Sequence, residues 1–465
     1  MNQSMVTQVS SNVVFEKKRF DANYFKDEVL RAKSSIKSLD EYNKINTINE
    51  LSKKIFKQSR FKRNYVDSKT GEPYLTPTDM FMFPLQPRKY IKDFPKGLKS
   101  ERKWILLTRS GTVGRSIIAN KPLSTCILSD DLIRIIPKEN KLGYLYTYLN
   151  SWMGKALLKK DKFGMTVKHI DPHQVEEIPI PKLPEIEEKI HKKIKKSFEL
   201  KEKTYELIQK SKNYLHNKLN LPRIFKKDAN YLGQSQKSFT INNKFLDKRL
   251  DASYHVPWVQ LVTRAMQKQE ERGKGEKLFL KNVSKKRFVP PRFKRIYVKD
   301  LEKGIPMLQS SHIDQIQPQG VKLISKDMKN LEKYIIKENW LLVTCSGKIG
   351  KTSLVSSKWD GWAASNHMIR IIPNKKKIHP GYLTAFLQSK YGQIQFERLS
   401  YGGVVDEIGE SGELVDDIII FKPNDYLIEE EIGSIVLEAY NKRDEANELE
   451  KEAIQILENH IKNST

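Results

Sequence analysis

The chain has 465 residues but only two cysteines, Cys126 and Cys345, and neither belongs to a CxxC pair or to a Cys/His cluster with zinc spacing. That excludes a disulfide scaffold and a structural zinc site, and it points to a reducing compartment. No run of 18 or more apolar residues occurs, so no membrane-spanning helix is expected. The first 30 residues also lack the apolar segment of a secretory signal, and a cytoplasmic protein is expected. Acidic residues are in deficit, 56 Asp and Glu against 84 Lys and Arg, for a formal charge of +28. An excess of that size favours a polyanionic partner, because cations set near phosphates gain affinity by releasing condensed counterions. Catalytic signatures are missing as well. There is no Asn/Asp-Pro-Pro-aromatic tetrad, no glycine-rich cofactor loop after a strand, no HExxH and no GxSxG. The nearest approach to a phosphate-binding loop, "CSGKIGKTS" at 345–353, has Cys345 where that loop needs its first glycine.

What the sequence does have is a long internal repeat. "SKKIFKQSRFKRNYV" (52–66) returns as "SKKRFVPPRFKRIYV" (284–298), and "RFDANYF" (19–25) as "RLDASYH" (249–255). "GEPYLTPTDM" (71–80) is echoed by "GIPMLQSSHI" (304–313), and "WILLTRSGTVGR" (104–115) by "WLLVTCSGKIGK" (340–351). "SDDLIRIIP" (129–137) matches "SNHMIRIIP" (365–373), "GYLYTYL" (143–149) matches "GYLTAFL" (381–387), and "VEEIPI" (175–180) matches "VDDIII" (415–420). The order is kept and the offset drifts only from 230 to 240, which indicates a duplicated domain with small loop insertions. Residues 66–103, rich in Pro and aromatics, have no equally clear counterpart and are a candidate place for base-reading loops.

Within each copy, "KWILLTRSG" and "LIRIIP" read as buried strands, and the "GYL" segments as short helices. Each copy is therefore an α/β (α+β) globule. A different pattern follows each globule. From Pro184, the residues Ile186, Ile190, Ile194, Phe198, Tyr205, Ile208, Leu215 and Leu219 recur at helical steps. From Glu429, the residues Ile432, Ile435, Tyr440, Leu449, Ala453, Ile456 and Leu457 do the same. Two helices of about 33–35 residues, roughly 50 Å long, are predicted. A helix that long with one apolar stripe needs a partner, and each is the simplest partner for the other. The interface is expected at Ile186, Ile190, Ile194, Leu215, Ile432, Ile435, Leu449 and Ile456.

The repeated basic segments supply the candidate contacts to a polyanion. Lys53, Lys54, Arg60, Lys62, Arg63 and Tyr65 are matched by Lys285, Lys286, Arg292, Lys294, Arg295 and Tyr297. Cations on an exposed strand or loop contact phosphates, and interleaved aromatics pack or stack. The Gly111/Gly114 and Gly347/Gly350 turns let backbone approach a phosphate, with Arg109, Ser110, Thr112, Ser346 and Lys348 placed at the tips. His169, Asp171 and His173 in "KHIDPH" resemble a metal cluster. The second copy has no histidines there, so the segment reads as a surface turn and no metal site is assigned.

Taken together and in order, these motifs resemble the specificity subunit of a type I restriction–modification system over nearly the whole chain. The motifs that carry the likeness are the two "R-D-Y" segments, the paired "W-LL" strand and Gly turns, "LIRIIP" and "MIRIIP", the "GYL" helices, and "IPIPKLP" before a long helix. The resemblance implies target-recognition domains at 1–183 and 222–425, with spacer helices at 184–221 and 426–465 paired as an antiparallel coiled coil with pseudo-twofold symmetry. It implies a non-catalytic chain that binds double-stranded DNA, each globule reading half of a bipartite, asymmetric target. It also implies docking of two adenine-N6 methyltransferase (modification) subunits and of restriction/translocase subunits. S-adenosylmethionine would belong to the former, ATP and Mg to the latter, and none of these to this chain. The alternatives are the targeting subunit of a type IIB/IIG-like methyltransferase-nuclease and a coiled-coil nucleic-acid scaffold. The acidic "VVDEIGESGELVDD" (404–417) and "IIIFKP" (418–423) depart from the pattern and leave the second junction less defined.

Overall fold

The β-branched runs bounded by Gly and Pro form short strands, and the pairing of those strands repeats. The computed structural model describes residues 27–40, 45–160, 169–224, 239–241, 246, 249–401, 407–408 and 415–464. The chain divides into two units, Met1–Glu202 with Glu445–Thr465, and Lys203–Asp444. "RFDANYF" (19–25) and most of residues 404–414 lie outside the described residues.

The first unit begins with α1 (Asp27–Asp40), which buries Val29, Ala32, Ile36 and Leu39 on one stripe. Its strands are β1 (Ile45–Thr47), β2 (Ser52–Lys57), β3 (Asn64–Val66), β4 (Glu72–Leu75), β5 (Lys89–Lys92), β6 (Ile105–Thr108), β7 (Ser116–Ile118), β8 (Ile127–Leu128), β9 (Leu132–Pro137) and β10 (Pro179–Pro181). They form the pair β1–β10 and two four-stranded sheets ordered β2-β9-β6-β7 and β3-β5-β4-β8. The helices between them are α2 (Lys121–Ser124), α3 (Leu142–Asn150), α4 (Trp152–Lys160) and α5 (Pro172–Glu176), followed by the long α6 (Pro184–Lys218).

The second unit repeats this frame strand for strand. After α7 (Pro257–Glu271) come β11 (Gly275–Phe279), α8 (Leu280–Val283), β12 (Ser284–Phe288), β13 (Tyr297–Val298), β14 (Gly304–Leu308), β15 (Lys322–Ser325), β16 (Leu341–Thr344), β17 (Thr352–Leu354), β18 (Ala363–Ala364) and β19 (Met368–Pro373). Next are α9 (Pro380–Gln388), α10 (Lys390–Arg398), β20 (Ile419–Pro423) and the long α11 (Tyr426–Ser464). The sheets are β11–β20, β12-β19-β16-β17 and β13-β15-β14-β18, so every strand pairs as the one ten places earlier does. Even the parallel pairs correspond. Tyr74 lies opposite Ile127 in β4–β8, and Met307 opposite Ala363 in β14–β18.

Two expectations are corrected here. Residues 66–103 do have a counterpart, because β4 and β5 pair as β14 and β15 do. The second junction is also well formed: β20 pairs with β11 over five residues, and of the acidic stretch before it Asp416 takes Arg287 and Asp417 takes Lys281. In "RLDASYH", Arg249 clasps Asp251 in a fork at 2.6 and 2.8 Å and donates to the Leu399 and Ser400 carbonyls just past α10. Leu399 is the C-cap of that helix, so this part of the repeat ties the chain to the end of α10.

The long helices pack together as the stripe requires. In the first unit, Ile190, Ile194 and Phe198 of α6 join Ala453, Leu457 and Ile461 of α11 in one core with Tyr144 and Leu145, and Ile186 and Ile456 pack at its edge. Lys193 pairs with Glu452, and Lys201 with Glu450 at 2.7 Å. In the second unit, Thr204 Oγ1 donates to the Ala439 carbonyl at 3.3 Å, and Lys218 lies 3.6 Å from Glu431. In both units rising numbers on one helix meet falling numbers on the other, so the pairing is antiparallel. Leu215, Ile432 and Ile435 are buried, whereas Leu449 is only half-buried.

Candidate nucleic-acid interface

β2 places two consecutive lysines outside, which a regular pleat would not do because neighbouring side chains point to opposite faces. A bulge between Ser52 and Lys54 resolves this. The register with β9 slips there, Ser52 and Ile55 turn inward, and Lys53 and Lys54 are both exposed. The second unit has the same slip between Ser284 and Lys286, with Lys285 and Lys286 both outside. Lys54 Nζ lies 4.9 Å from the centre of the Phe56 ring, and Lys286 Nζ 4.8 Å from that of Phe288. The two rings stand edge-on to Trp104 and Trp340, respectively.

Between β2 and β3 the chain is irregular, and its side chains alternate in role. Arg60 and Lys62 are exposed while Phe61 and Arg63 turn in, and Arg292 and Lys294 are exposed while Phe293 and Arg295 turn in. Arg63 Nε donates to the Tyr74 hydroxyl at 2.8 Å, its Nη2 pairs with Asp130, and its plane lies over the Phe61 ring. Arg295 Nη2 donates to Asn366 Oδ1 at 3.1 Å, with its plane over the Phe293 ring. Next along the chain, Tyr65 is 51% and Tyr297 44% exposed, each with a lysine against its ring, Lys89 at 5.3 Å and Lys322 at 4.8 Å.

The Gly turns after β6 and β16 are built alike. Gly111, Gly114, Gly347 and Gly350 all have positive φ, which glycine adopts without strain. A threonine at the strand end ties each turn. Thr108 Oγ1 donates to the Thr112 carbonyl and accepts from Arg115 N at 3.0 Å; Thr344 Oγ1 donates to the Lys348 carbonyl at 2.6 Å and accepts from Lys351 N at 3.0 Å. Of the residues expected at the tips, Thr112 and Lys348 are exposed. Arg109 is turned in, with its side chain 12% exposed and held between Asp131 at 3.4 Å and Asp171 at 3.1 Å. Ser110 Oγ donates to Asp131 and meets His169 Nδ1, both at 2.5 Å. Ser346 forms a backbone bridge with Glu407, as Ser110 does with His169. Burial works against ionisation of Asp171, but hydrogen bonds from Lys57 and Arg109 outweigh it and hold the carboxyl below its ordinary range.

The sequence reading passed over a second pair of arginines. Arg134 in "LIRIIP" and Arg370 in "MIRIIP" are wholly buried. Arg134 donates to the carbonyls of Leu98, Ser129 and Leu132 at 3.2–3.4 Å, and Arg370 to those of Ala364, Ser365 and Met368 at 2.6–2.8 Å. Burial pushes Arg134 down to about 10 and Arg370 to about 9, so both remain cationic at neutral pH. Each fixes the corner before β9 or β19, the corner that carries Asp130 or Asn366. A charged residue repeated inside a strand that is otherwise apolar on both faces was the signal available for finding them.

With this geometry in view, comparison with known proteins gives a family. The model of the type I restriction modification DNA specificity domain matches residues 40–217 and 263–408, which is more than half of the chain. The chain belongs to the type I restriction–modification specificity subunits, with two repeated target-recognition halves. Among solved structures it is similar to a type I restriction–modification S subunit from M. genitalium, at 13% identity and TM-score 0.36, covering 90% of this chain and 95% of that one. It is also similar to an HsdS subunit from Thermoanaerobacter tengcongensis, at 12% identity and TM-score 0.26, covering 90% of this chain and 96% of that one. No curated protein matches. Among the described residues, no helix is long and apolar enough to cross a membrane, and no group of three or more His, Cys, Asp and Glu is arranged to hold a metal ion.

Proposed function

We propose that each unit reads one half of a split, asymmetric target in double-stranded DNA. The observation that carries this reading is the matched exposure of five side chains on equivalent strands and loops. Lys53, Lys54, Arg60, Lys62 and Tyr65 are exposed in one unit, and Lys285, Lys286, Arg292, Lys294 and Tyr297 in the other. Four cations and an exposed aromatic ring per unit suit phosphate contact with stacking or edge contact beside it. Thr112, Ser346 and Lys348 extend the contact at the Gly turns. Two readers on one chain land on the same side of B-DNA when the half-site centres lie about one helical turn, roughly 10 base pairs, apart.

On this reading the chain performs no chemistry of its own. The outward faces of α6 and α11 dock two adenine-N6 methyltransferase subunits, and restriction/translocase subunits complete the assembly. S-adenosylmethionine, ATP and Mg are handled by those partners. The apolar stripe is spent inside the chain, so docking falls to the polar faces of the helices. The test is the methylated motif in cells that express this chain with its modification partner. A single split adenine motif is expected, and a methylome with only contiguous motifs overturns the two-reader reading.

A further inference from the structure

The cations of each basic loop differ in what surrounds them. Arg60 and Lys62 in the first unit, and Arg292 and Lys294 in the second, are exposed, whereas Arg63 and Arg295 each reach inward to a corner of the next sheet. We propose that Arg63 and Arg295 are positioning residues: pins that fix the basic loop so that its exposed cations meet duplex DNA at set places. This rests on the DNA-reading function above.

Three observations carry the inference, and each occurs twice. The guanidinium is bonded inside the protein, Arg63 through Nε to Tyr74 and through Nη2 to Asp130, and Arg295 through Nη2 to Asn366 while its buried Nε has no acceptor among the described residues. It lies over the phenylalanine two residues earlier, 5.2 Å from the centre of Phe61 and 5.3 Å from that of Phe293. The acceptor corner is itself held from behind by a buried arginine, Arg134 or Arg370, bonded to the corner carbonyls. Each basic loop is thus fixed in two stages, from inner arginine to corner and from corner to outer arginine. Loop residues without regular hydrogen bonds lose conformational freedom when they bind, and a pin that orders them beforehand removes that loss from binding. The pins also differ. Asp130 is a carboxylate and Asn366 a neutral amide, so a formal charge at the corner is not required for the role.

The test uses the full chain with its modification partner and a fluorescent random-sequence duplex pool, titrated over a salt series. Lys62→Gln is expected to reduce the salt slope by about 0.9, one phosphate contact. Arg63→Gln and Arg63→Lys are expected to leave the slope unchanged and to weaken binding about tenfold, the equivalent of ordering one further residue. Lysine keeps the charge but cannot span Tyr74 and Asp130 together. Asp130→Asn is expected to match the parent, because the second unit already works with Asn366, whereas Asp130→Leu is expected to behave as Arg63→Gln. If Arg63 instead touches phosphate, Arg63→Gln takes about 0.9 from the slope, Arg63→Lys restores it, and Asp130→Leu tightens binding by freeing the guanidinium. That pattern overturns the inference while leaving DNA reading intact. Absence of salt-dependent binding by the parent complex overturns DNA reading itself.

Discussion

Truncating Ile190 separates two uses of the long-helix stripe. Ile190 is 0% exposed and sits in the core that α6 and α11 share with α3 in the first unit. Ile190→Ala removes three carbons, a transfer loss of about 2.4 kcal/mol at about 0.8 kcal/mol per buried methylene. A partly unrelaxed cavity raises the total towards about 3–4 kcal/mol, within the range for such truncations in tightly packed cores. Ile432 is equally buried in the second unit, and Ile432→Ala should produce a similar loss there. Lys192, on an exposed position of α6, is the control, and Lys192→Ala should stay within about 0.5 kcal/mol of the parent. Urea unfolding of the full chain, followed by far-UV circular dichroism, gives the midpoints. Ile190→Ala is expected to lower the transition of the first unit and Ile432→Ala that of the second. An unchanged midpoint for Ile190→Ala, together with loss of co-purification with the modification partner, refutes the reasoning. It would mean that the stripe faces another chain.

The remaining predictions concern individual contacts. Lys201 and Glu450 are an ion pair with side chains 8% and 5% exposed, so Lys201→Ala should destabilise by about 3–5 kcal/mol while Lys201→Met with Glu450→Leu recovers most of that; urea midpoints of the two variants check it. A methyl group at Gly381 would run into the backbone carbonyl of Gly433 on α11, so Gly381→Ala should lower the thermal midpoint of the second unit, whereas an equal midpoint would show that α9 and α11 can part. Asp171 ionises more readily in the folded chain than in the unfolded one, so its contribution to stability is present above the unfolded carboxyl value of about 3.9 and fades as pH falls through the lower folded value. The stability gap between the parent and Asp171→Asn should therefore be constant from about pH 5 to 7 and narrow in stronger acid, and a gap that widens in acid contradicts the sign.

The duplication was legible because strands and helices carry period and punctuation within themselves. β6, β9, β16 and β19 and both long helices fall where apolar runs, Gly turns and helical spacing put them. α1 and α7 are absent from the sequence reading, although Val29, Ala32, Ile36 and Leu39, and Val259, Val262 and Met266, follow helical steps. Residues 66–103 hid their counterpart because β5 and β15 share only a "K-I" skeleton, while the Pro-rich flanks of one differ from the Gln-rich flanks of the other. Sequence could not tell which cations turn inward. The acceptors of Arg63 lie 11 and 67 residues away, and those of Arg109 lie 22 and 62 away. A lysine or arginine read alone is presumed exposed, and only the fold brings a carboxylate or a tyrosine hydroxyl to it.

On the proposed function, one chain carries two readers of different half-sites. If the units differed in strand pairing, a difference in the half-sites they read could come from shape alone. They do not differ in that respect: every strand pair, both bulges and both Gly turns recur. The differences among the described residues lie in the loops and side chains set on this frame. The first unit has Arg109 between Asp131 and Asp171, while the second has Cys345 and His367 at the positions of Arg109 and Asp131. An ionised carboxylate can only accept, as from cytosine N4 in the major groove, whereas a histidine ring also donates, so the two units should prefer different bases from one docking geometry. Exchanging Asp131 for His together with Arg109→Cys, which gives the first unit the second unit's residues at both positions, should therefore change the base preference of one half of the methylated motif and leave the other half and the gap unaltered. A change in gap length would place the difference in the frame after all.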